Sequence, residues 1–178
     1  MVKIMKIKIT EKGKYEFYKE VVNITQQYRS LIKKPEQKIK DNIKSLEKLT
    51  YADIAIVAFL VIDIIMFGFD SSSIITLIFS ILIIITGYFY TSNLKKQVNK
   101  MYESAGNREV VIDKKGIKYV NPDVQTISIA WDNIAFIKLG EYTIAFIPKD
   151  NTGILICLQI DYKDQILEEI KDKGIKVY

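Results

Sequence analysis

A single carboxylate stands in an otherwise apolar stretch of the chain. Asp63 lies inside the run FLVIDIIMF, which contains no other ionisable side chain. A polar group in hydrocarbon is stabilised when a second polar group meets it, because neither then faces lipid alone. If the turn after this run is centred between residues 71 and 72, Ser80 lies level with Asp63 on the returning helix. We therefore predict an intramembrane hydrogen bond between Asp63 and Ser80.

The Asp63 carboxylate is open to three interpretations. It could hold two helices in register with Ser80, join copies of the chain in a homo-oligomer, or form part of a proton or cation path. A relay needs further charged groups, and neither apolar run contains a second acidic or basic residue. Transport is the least favoured interpretation for this reason, and the register role is the most favoured.

Residue types that support catalysis are scarce in the rest of the chain. There is no histidine, and the single cysteine excludes an internal disulfide and a multi-cysteine zinc site. That residue, Cys157, lies in ILICLQI, which is typical of a buried strand, so packing is favoured over reactivity. Neither a glycine-rich phosphate loop nor a G-x-S-x-G elbow is present, and the aspartates lack metal-ligand spacing. We predict a protein that is not an enzyme, with no catalytic residue, cofactor or metal site.

The charges are segregated along the chain in the manner of a membrane protein. Residues 54–89 contain no Lys or Arg, whereas residues 1–50 hold thirteen basic and six acidic side chains. We predict a transmembrane hairpin over residues 51–92. Its first helix starts at a capping box, Thr50-Tyr51-Ala52-Asp53, and runs to Phe69. The second runs from Ile74 to Thr91, after a polar connection, Asp70–Ser73, in which Ser72 or Ser73 caps the helix. A pair of helices buried in a soluble core is the alternative.

Basic residues flank only the open ends of this hairpin. The connection between the two helices has none, so both termini are predicted to be cytoplasmic in a bacterial cell membrane, with two spans. We expect the flanking lysines to contact anionic lipid; they are Lys44, Lys48, Lys95, Lys96 and Lys100.

The regions on either side of the hairpin have different patterns. Residues 1–50 combine a Lys-Ile alternation from Lys6 to Ile9, typical of a short strand, with two amphipathic helical stretches. The second stretch is basic and could pack on the rest of the chain, form a coiled coil or lie on lipid. Residues 93–107 are predicted as a juxtamembrane helix and linker.

Residues 108–178 show the signals of a small antiparallel β domain. Six short strands are separated by turn residues, including a two-residue hairpin at Gly140-Glu141. A last helix, capped by Asp161 and ended by Gly174, closes the domain. The predicted fold class is thus a membrane protein of the α+β class. The Lys-Ile strand could pair with the strand at Glu109–Ile112.

The motifs DKKGIKY and ISIAWDNIAFIKLGEYTIAFIPK, after two close spans, resemble the YcxB-like bacterial membrane proteins. The resemblance rests on Gly116-Ile117 after a charged turn, on Trp131-Asp132, and on Ile147-Pro148-Lys149. It covers residues 107–149 and implies a C-terminal domain similar to the pleckstrin-homology (PH) fold. The chain departs from the family after Lys149, where it has Asp150-Asn151-Thr152-Gly153 and a further apolar strand. The family implies no particular biochemical activity.

The expected partners are membrane lipids, a cytoplasmic protein or a second copy of the chain. Lys114 and Lys115 are weak candidates for a lipid headgroup site, because residues 109–178 carry nine lysines against eleven acidic residues. Trp131 is expected to be a core residue. Nucleic acid is not expected, since the basic residues are N-terminal and lack an aromatic-rich sheet face.

Two functions remain open at this stage. The favoured one is a non-catalytic membrane-anchored protein that presents a cytoplasmic PH-like interaction domain. The alternative is a role inside the bilayer that involves Asp63, either transport-associated or protective, such as immunity to membrane-active bacteriocins.

Overall fold

The computed structural model describes residues 4–9, 13–68, 71–121, 125–150 and 154–178, and divides the chain into two compact units. The first unit contains residues 1–40 and 98–178, and the second contains residues 41–97. The second unit is therefore inserted into the sequence of the first. The sequence-based division into residues 1–50, 51–92, 93–107 and 108–178 instead kept the N-terminal and C-terminal regions separate.

The second unit consists of two long helices. Helix α2 spans Asn42–Phe67 and helix α3 begins at Ser71 and continues to Glu103, which lies in the first unit. Both exceed the roughly 20 residues needed to cross a bilayer. Each has a mean hydropathy of 2.2 over its most apolar stretch.

The predicted starts of these two helices are wrong. Helix α2 begins at the Asp41 cap, whose carboxylate accepts a hydrogen bond from the Lys44 amide at 3.0 Å. The Thr50 hydroxyl, expected at a cap, donates to the Leu46 carbonyl within the helix. No Pro or Gly lies between residues 41 and 67 to interrupt the helix, so the basic stretch and the apolar run are continuous. Helix α3 likewise starts before the expected caps, Ser72 and Ser73.

The first unit contains two antiparallel sheets and two helices. The first sheet has the order β1-β2-β3-β4 and the second β5-β6-β7. Its strands are β1 (Met5–Ile9), β2 (Arg108–Ile112), β3 (Gly116–Asn121), β4 (Gln125–Ala130), β5 (Ile134–Leu139), β6 (Thr143–Pro148) and β7 (Ile156–Gln159). Helix α1 spans Tyr15–Lys33 and helix α4 spans Lys163–Ile170. The class, mixed helix and antiparallel sheet, agrees with the prediction.

The pairing of β1 with β2 confirms a hypothesis drawn from the Lys-Ile alternation. Ile7 lies opposite Val110 and Met5 opposite Ile112, although about a hundred residues of chain separate the two strands. The alternation of β1 buries Ile7 and Ile9 and exposes Lys6 and Lys8. The sheet of the C-terminal region is thus completed by the N-terminal strand.

Among the residues that the structure describes, two apolar clusters hold the first unit together. The larger lies between the sheets and α4, and includes Val110, Ile117, Phe146, Leu158 and Ile166. The smaller joins α1 to the second sheet through Ile24, Leu31, Ala145 and Ile147. The apolar spacing of the first amphipathic stretch predicts one buried face, and its residues are buried in α1: Phe17, Val21, Ile24, Tyr28 and Leu31. Helix α1 therefore covers one face of the second sheet while the first sheet covers the other.

Three local predictions in this unit need correction. The residues between the paired Gly140 and Thr143 are Glu141 and Tyr142, so the hairpin turn is one residue later than expected. Helix α4 has no side-chain cap, because Asp161 lies in a preceding 3₁₀ turn, Ile160–Tyr162. The alternation from Thr126 to Trp131 predicts a strand that includes Trp131, whereas Trp131 lies in a 3₁₀ turn after β4. Gly174 does end the helical segment, with a positive φ of 66°.

Candidate functional site

Asp63 and Ser80 both lie on half-buried positions of the helical hairpin. Helix α2 ends at Phe67 and α3 begins at Ser71, so the connection is centred about two residues earlier than expected. Within the described part of the chain, neither side chain makes a hydrogen bond.

The predicted lipid-contact lysines are all exposed, and one of them makes an ion pair. The Lys95 ammonium lies 2.6 Å from the Glu47 carboxylate, joining α2 and α3 within the second unit. Gly87 lies nearby on α3, where an added Cβ would approach the Thr50 hydroxyl at 3.2 Å. The helices therefore approach each other closely at their open ends. Lys44, Lys48, Lys96 and Lys100 are exposed along the same two helices.

Lys114 and Lys115 are exposed on the β2–β3 turn, as expected. The Asp113 carboxylate accepts hydrogen bonds from the amides of Lys115 and Gly116, which fixes the turn. Gly116 is required there, because an added Cβ would collide with the Ile129 carbonyl on β4. Asp113 thus places an anion beside the two lysines. This arrangement explains the turn without a lipid ligand.

Trp131 is a core residue, as predicted. It is 9% exposed, and its indole NH donates to the Asp113 carbonyl at 2.8 Å. The Lys173 ammonium lies 5.7 Å from the centre of the indole ring. These contacts tie the β2–β3 turn and the C-terminal region to the larger cluster.

The first unit contains a pocket of about 380 Å³ that no sequence pattern predicted. Its volume is within the range of small-molecule sites, about 300–1,000 Å³. Side chains from α1, from β2, β3 and β4, and from β7 line it, together with Met101 at the end of α3. We call it the Arg108 pocket. Its apolar lining includes Phe17, Val21, Met101, Ile127, Ile154 and Ile156.

Arg108 is the one charged residue among the described residues that line this pocket. It is the first residue of β2, and its guanidinium carbon lies 5.6 Å from the centre of the Tyr18 ring. Its Nε is buried and has no hydrogen-bond partner. Burial raises the pKa of the Tyr18 hydroxyl, and Arg108 opposes this. The same two effects act on the pKa of Tyr119. Both phenols are therefore neutral at physiological pH.

Cys157 also lines the Arg108 pocket. Burial raises the pKa of its thiol from 9.0 to about 12, with a smaller contribution from Glu20. The thiol is therefore protonated at neutral pH and is a poor nucleophile. This finding agrees with the expectation that Cys157 serves packing.

Sequence reasoning missed Arg108, although one signal pointed to it. The chain has only two arginines among its 26 basic residues, and one of them directly precedes an apolar strand. The tyrosines that meet it come from α1 and β3, which are distant in sequence. Lys138 was missed as well. It is 5% exposed, its ammonium donates to the Pro35 carbonyl at 2.7 Å, and burial lowers its pKa.

In the described residues, no group of three or more His, Cys, Asp or Glu side chains is placed to hold a metal ion. No protein-family model matches the chain, and neither a curated protein nor a solved structure is significantly similar to it. The function must therefore be argued from the geometry of the two units.

Proposed function

We propose that this chain is a membrane-anchored interaction protein without catalytic activity. In this proposal the second unit is a two-span anchor, and the first unit is a cytoplasmic PH-like domain that binds a ligand or partner. The chain would then be a YcxB-like bacterial membrane protein, as its motifs suggest.

The observation that carries the proposal is the uncovered apolar surface of α2 and α3. Only 6% of the most apolar stretch of α2, and none of that of α3, is buried. Large side chains stand almost fully exposed, among them Phe59 at 77%, Ile65 at 76% and Phe67 at 83%. Soluble monomers rarely expose contiguous apolar patches larger than a few hundred Å². Lipid would cover this surface.

The structure of the first unit supports the proposal that it is a separate interaction domain. Its two apolar clusters involve residues of that unit alone, as expected for a domain that folds around its own core. Its antiparallel strands and C-terminal helix agree with the PH-like layout that the resemblance implies. The Arg108 pocket offers it a ligand site.

The orientation rests on the distribution of charge. Lysines flank the open ends of α2 and α3, while residues 54–89 contain none. Under the positive-inside rule, both termini and the whole first unit lie in the cytoplasm.

Cysteine accessibility in intact cells tests the anchor and its orientation together. Single cysteines at Ser72, Lys14 and Lys173, each exposed, would be introduced in a Cys157→Ala background. A membrane-impermeant thiol reagent is expected to label the Ser72 variant alone. The other two should become labelled only after the membrane is permeabilised.

Permeabilised cells provide the matched control, because all three sites should then react equally. Labelling of Lys14→Cys or Lys173→Cys in intact cells would contradict the cytoplasmic orientation. Recovery of the untreated chain in the soluble fraction, with Ser72→Cys unlabelled in intact cells, would contradict the anchor itself.

A further inference from the structure

The Arg108 side chain carries a buried donor that the protein does not satisfy. Its Nε has no hydrogen-bond partner, although the great majority of buried polar atoms in folded proteins have one. Leaving such a group unpaired is unfavourable, and more so when it is charged. Arg108 lines the pocket, so an anion bound there would stabilise its charged side chain.

The surroundings of Arg108 favour a negatively charged partner. In the part of the chain that the structure describes, no carboxylate forms an ion pair with it. The hydroxyl groups of Tyr18 and Tyr119 are neutral, because burial raises their pKa values. The positive charge of the pocket is therefore not compensated by the residues that line it.

The other side chains that line the Arg108 pocket indicate which chemical group carries the anion. Most of the other side chains are hydrocarbon or aromatic, and Thr25 and Met101 stand exposed at the opening. A ligand with a small polar head and a long apolar body matches this distribution, because its apolar part gains free energy by leaving water.

We propose that the Arg108 pocket binds an amphiphilic carboxylate, with its head at the Arg108 guanidinium and its aliphatic chain along α1 and β7. A carboxylate is favoured over a phosphate monoester because the pocket supplies a single positive charge, which one carboxylate balances; the guanidinium can pair with two oxygens of either group. The inference rests on the proposed function, since it assigns a ligand class to the interaction domain of the anchored protein.

Decanoate binding to the purified full chain in phosphatidylcholine nanodiscs tests this proposal. The probe is decanoate labelled with ¹³C at the carboxyl group, titrated by NMR against loaded and empty nanodiscs. We expect one saturable site per chain, beyond the linear partition that empty nanodiscs show. Arg108→Met is expected to weaken binding at least tenfold, or about 1.4 kcal/mol.

Two further variants distinguish binding in the Arg108 pocket from general effects of charge or of misfolding on affinity. Lys8→Met removes an exposed positive charge of the same unit outside the pocket, and should change the affinity less than twofold. Thr25→Trp adds bulk at the opening on an exposed position, and should weaken binding while the melting temperature stays unchanged.

Three results would overturn the proposal. They are the absence of a saturable site, equal binding of decanol, and equal loss of affinity in Lys8→Met and Arg108→Met. Tighter binding of decyl phosphate than of decanoate would overturn the choice of carboxylate. Because binding is measured on isolated protein and orientation in intact cells, failure of either experiment leaves the other result standing.

Discussion

At the residue scale, Glu20 shows how one side chain fixes a distant turn. Its carboxylate accepts hydrogen bonds from the amides of Glu141 and Tyr142, at 2.9 and 2.8 Å. Gly140 allows this approach, because an added Cβ would collide with the carboxylate. The β5–β6 turn is thus held by α1.

We predict that Glu20→Ala destabilises this turn. Each of the two hydrogen bonds to this charged acceptor should contribute about 1.5–3 kcal/mol to the free energy of unfolding. Hydrogen exchange of the Glu141 and Tyr142 amides should accelerate at least tenfold. Glu16→Ala, one turn earlier on α1 and exposed, is the control and should leave both rates unchanged. Equal rates in Glu20→Ala and the wild type would show that the carboxylate does not hold the turn.

A second residue-scale prediction concerns Cys157 and alkaline pH. The pKa of its thiol is 9.0 in the unfolded chain and about 12 in the fold. The fold therefore favours the protonated form, so the stability contribution is complete below pH 9 and is lost as the pH rises toward 12. The decline is about 1.4 kcal/mol per pH unit in that window.

Thermal denaturation at a series of alkaline pH values measures this effect. Wild type should lose stability more steeply above pH 9 than Cys157→Ala. The pKa values of Tyr18 and Tyr28 are also raised by burial, but these residues titrate in both proteins and cancel in the comparison. The pKa of Tyr119 is raised by burial and further by Cys157, so its contribution adds to the difference in the same direction. Parallel curves for the two proteins would contradict the prediction.

At the scale of elements, α2 is one continuous helix whose start is set by Asp41. The Asp41 side chain and carbonyl accept from the amides of Lys44 and Ser45. Thr50, the expected cap, sits two turns inside the helix. The basic stretch and the apolar run therefore form a single helical element.

We predict that Asp41→Ala frays the start of α2, at a cost of about 1 kcal/mol, whereas Asp41→Asn retains most of the cap. Amide exchange at Lys44 should rise about fivefold in the alanine variant. Thr50→Ala is the informative control, because it should change neither this rate nor the exchange near residue 50. Faster amide exchange at residues 51–53 in Thr50→Ala would contradict this prediction and support Thr50 as the helix cap.

At the scale of the whole molecule, the first unit is assembled from two separated parts of the chain. Strand β1 and helix α1 precede the apolar hairpin, and the remaining strands follow it. The clusters that stabilise this unit draw on both parts. Neither part should be stable without the other.

We predict that residues 1–40 and 98–178, joined by a flexible Gly-Ser linker in place of the hairpin, fold as a water-soluble domain. NMR should show the pairing of Ile7 with Val110. Residues 98–178 alone should lack dispersed amide signals, because β2 loses its pairing with β1 and the second sheet loses its packing against α1. A well-folded 98–178 fragment would contradict the dependence on the N-terminal part.

Much of the local structure was predictable from the sequence because it depends on local patterns. The spacing of apolar residues in α1, the alternation in β1 and the turns around β2 and β3 each lie within a short stretch. Helix starts were less predictable, because Thr50 and Asp161 have the residue types of caps in positions where the helix or a 3₁₀ turn already continues.

The sequence by itself determined the class of the protein: two long apolar helices, an amphipathic helix and a set of short antiparallel strands. These follow from hydrophobic periodicity and charge segregation, which act between near neighbours. Tertiary structure alone decided the contact of α2 with α3 through Glu47 and Lys95. It also decided the meeting of Arg108 with Tyr18 and Tyr119. Such contacts join residues far apart in the chain, and packing free energy, summed over the whole unit, selects them.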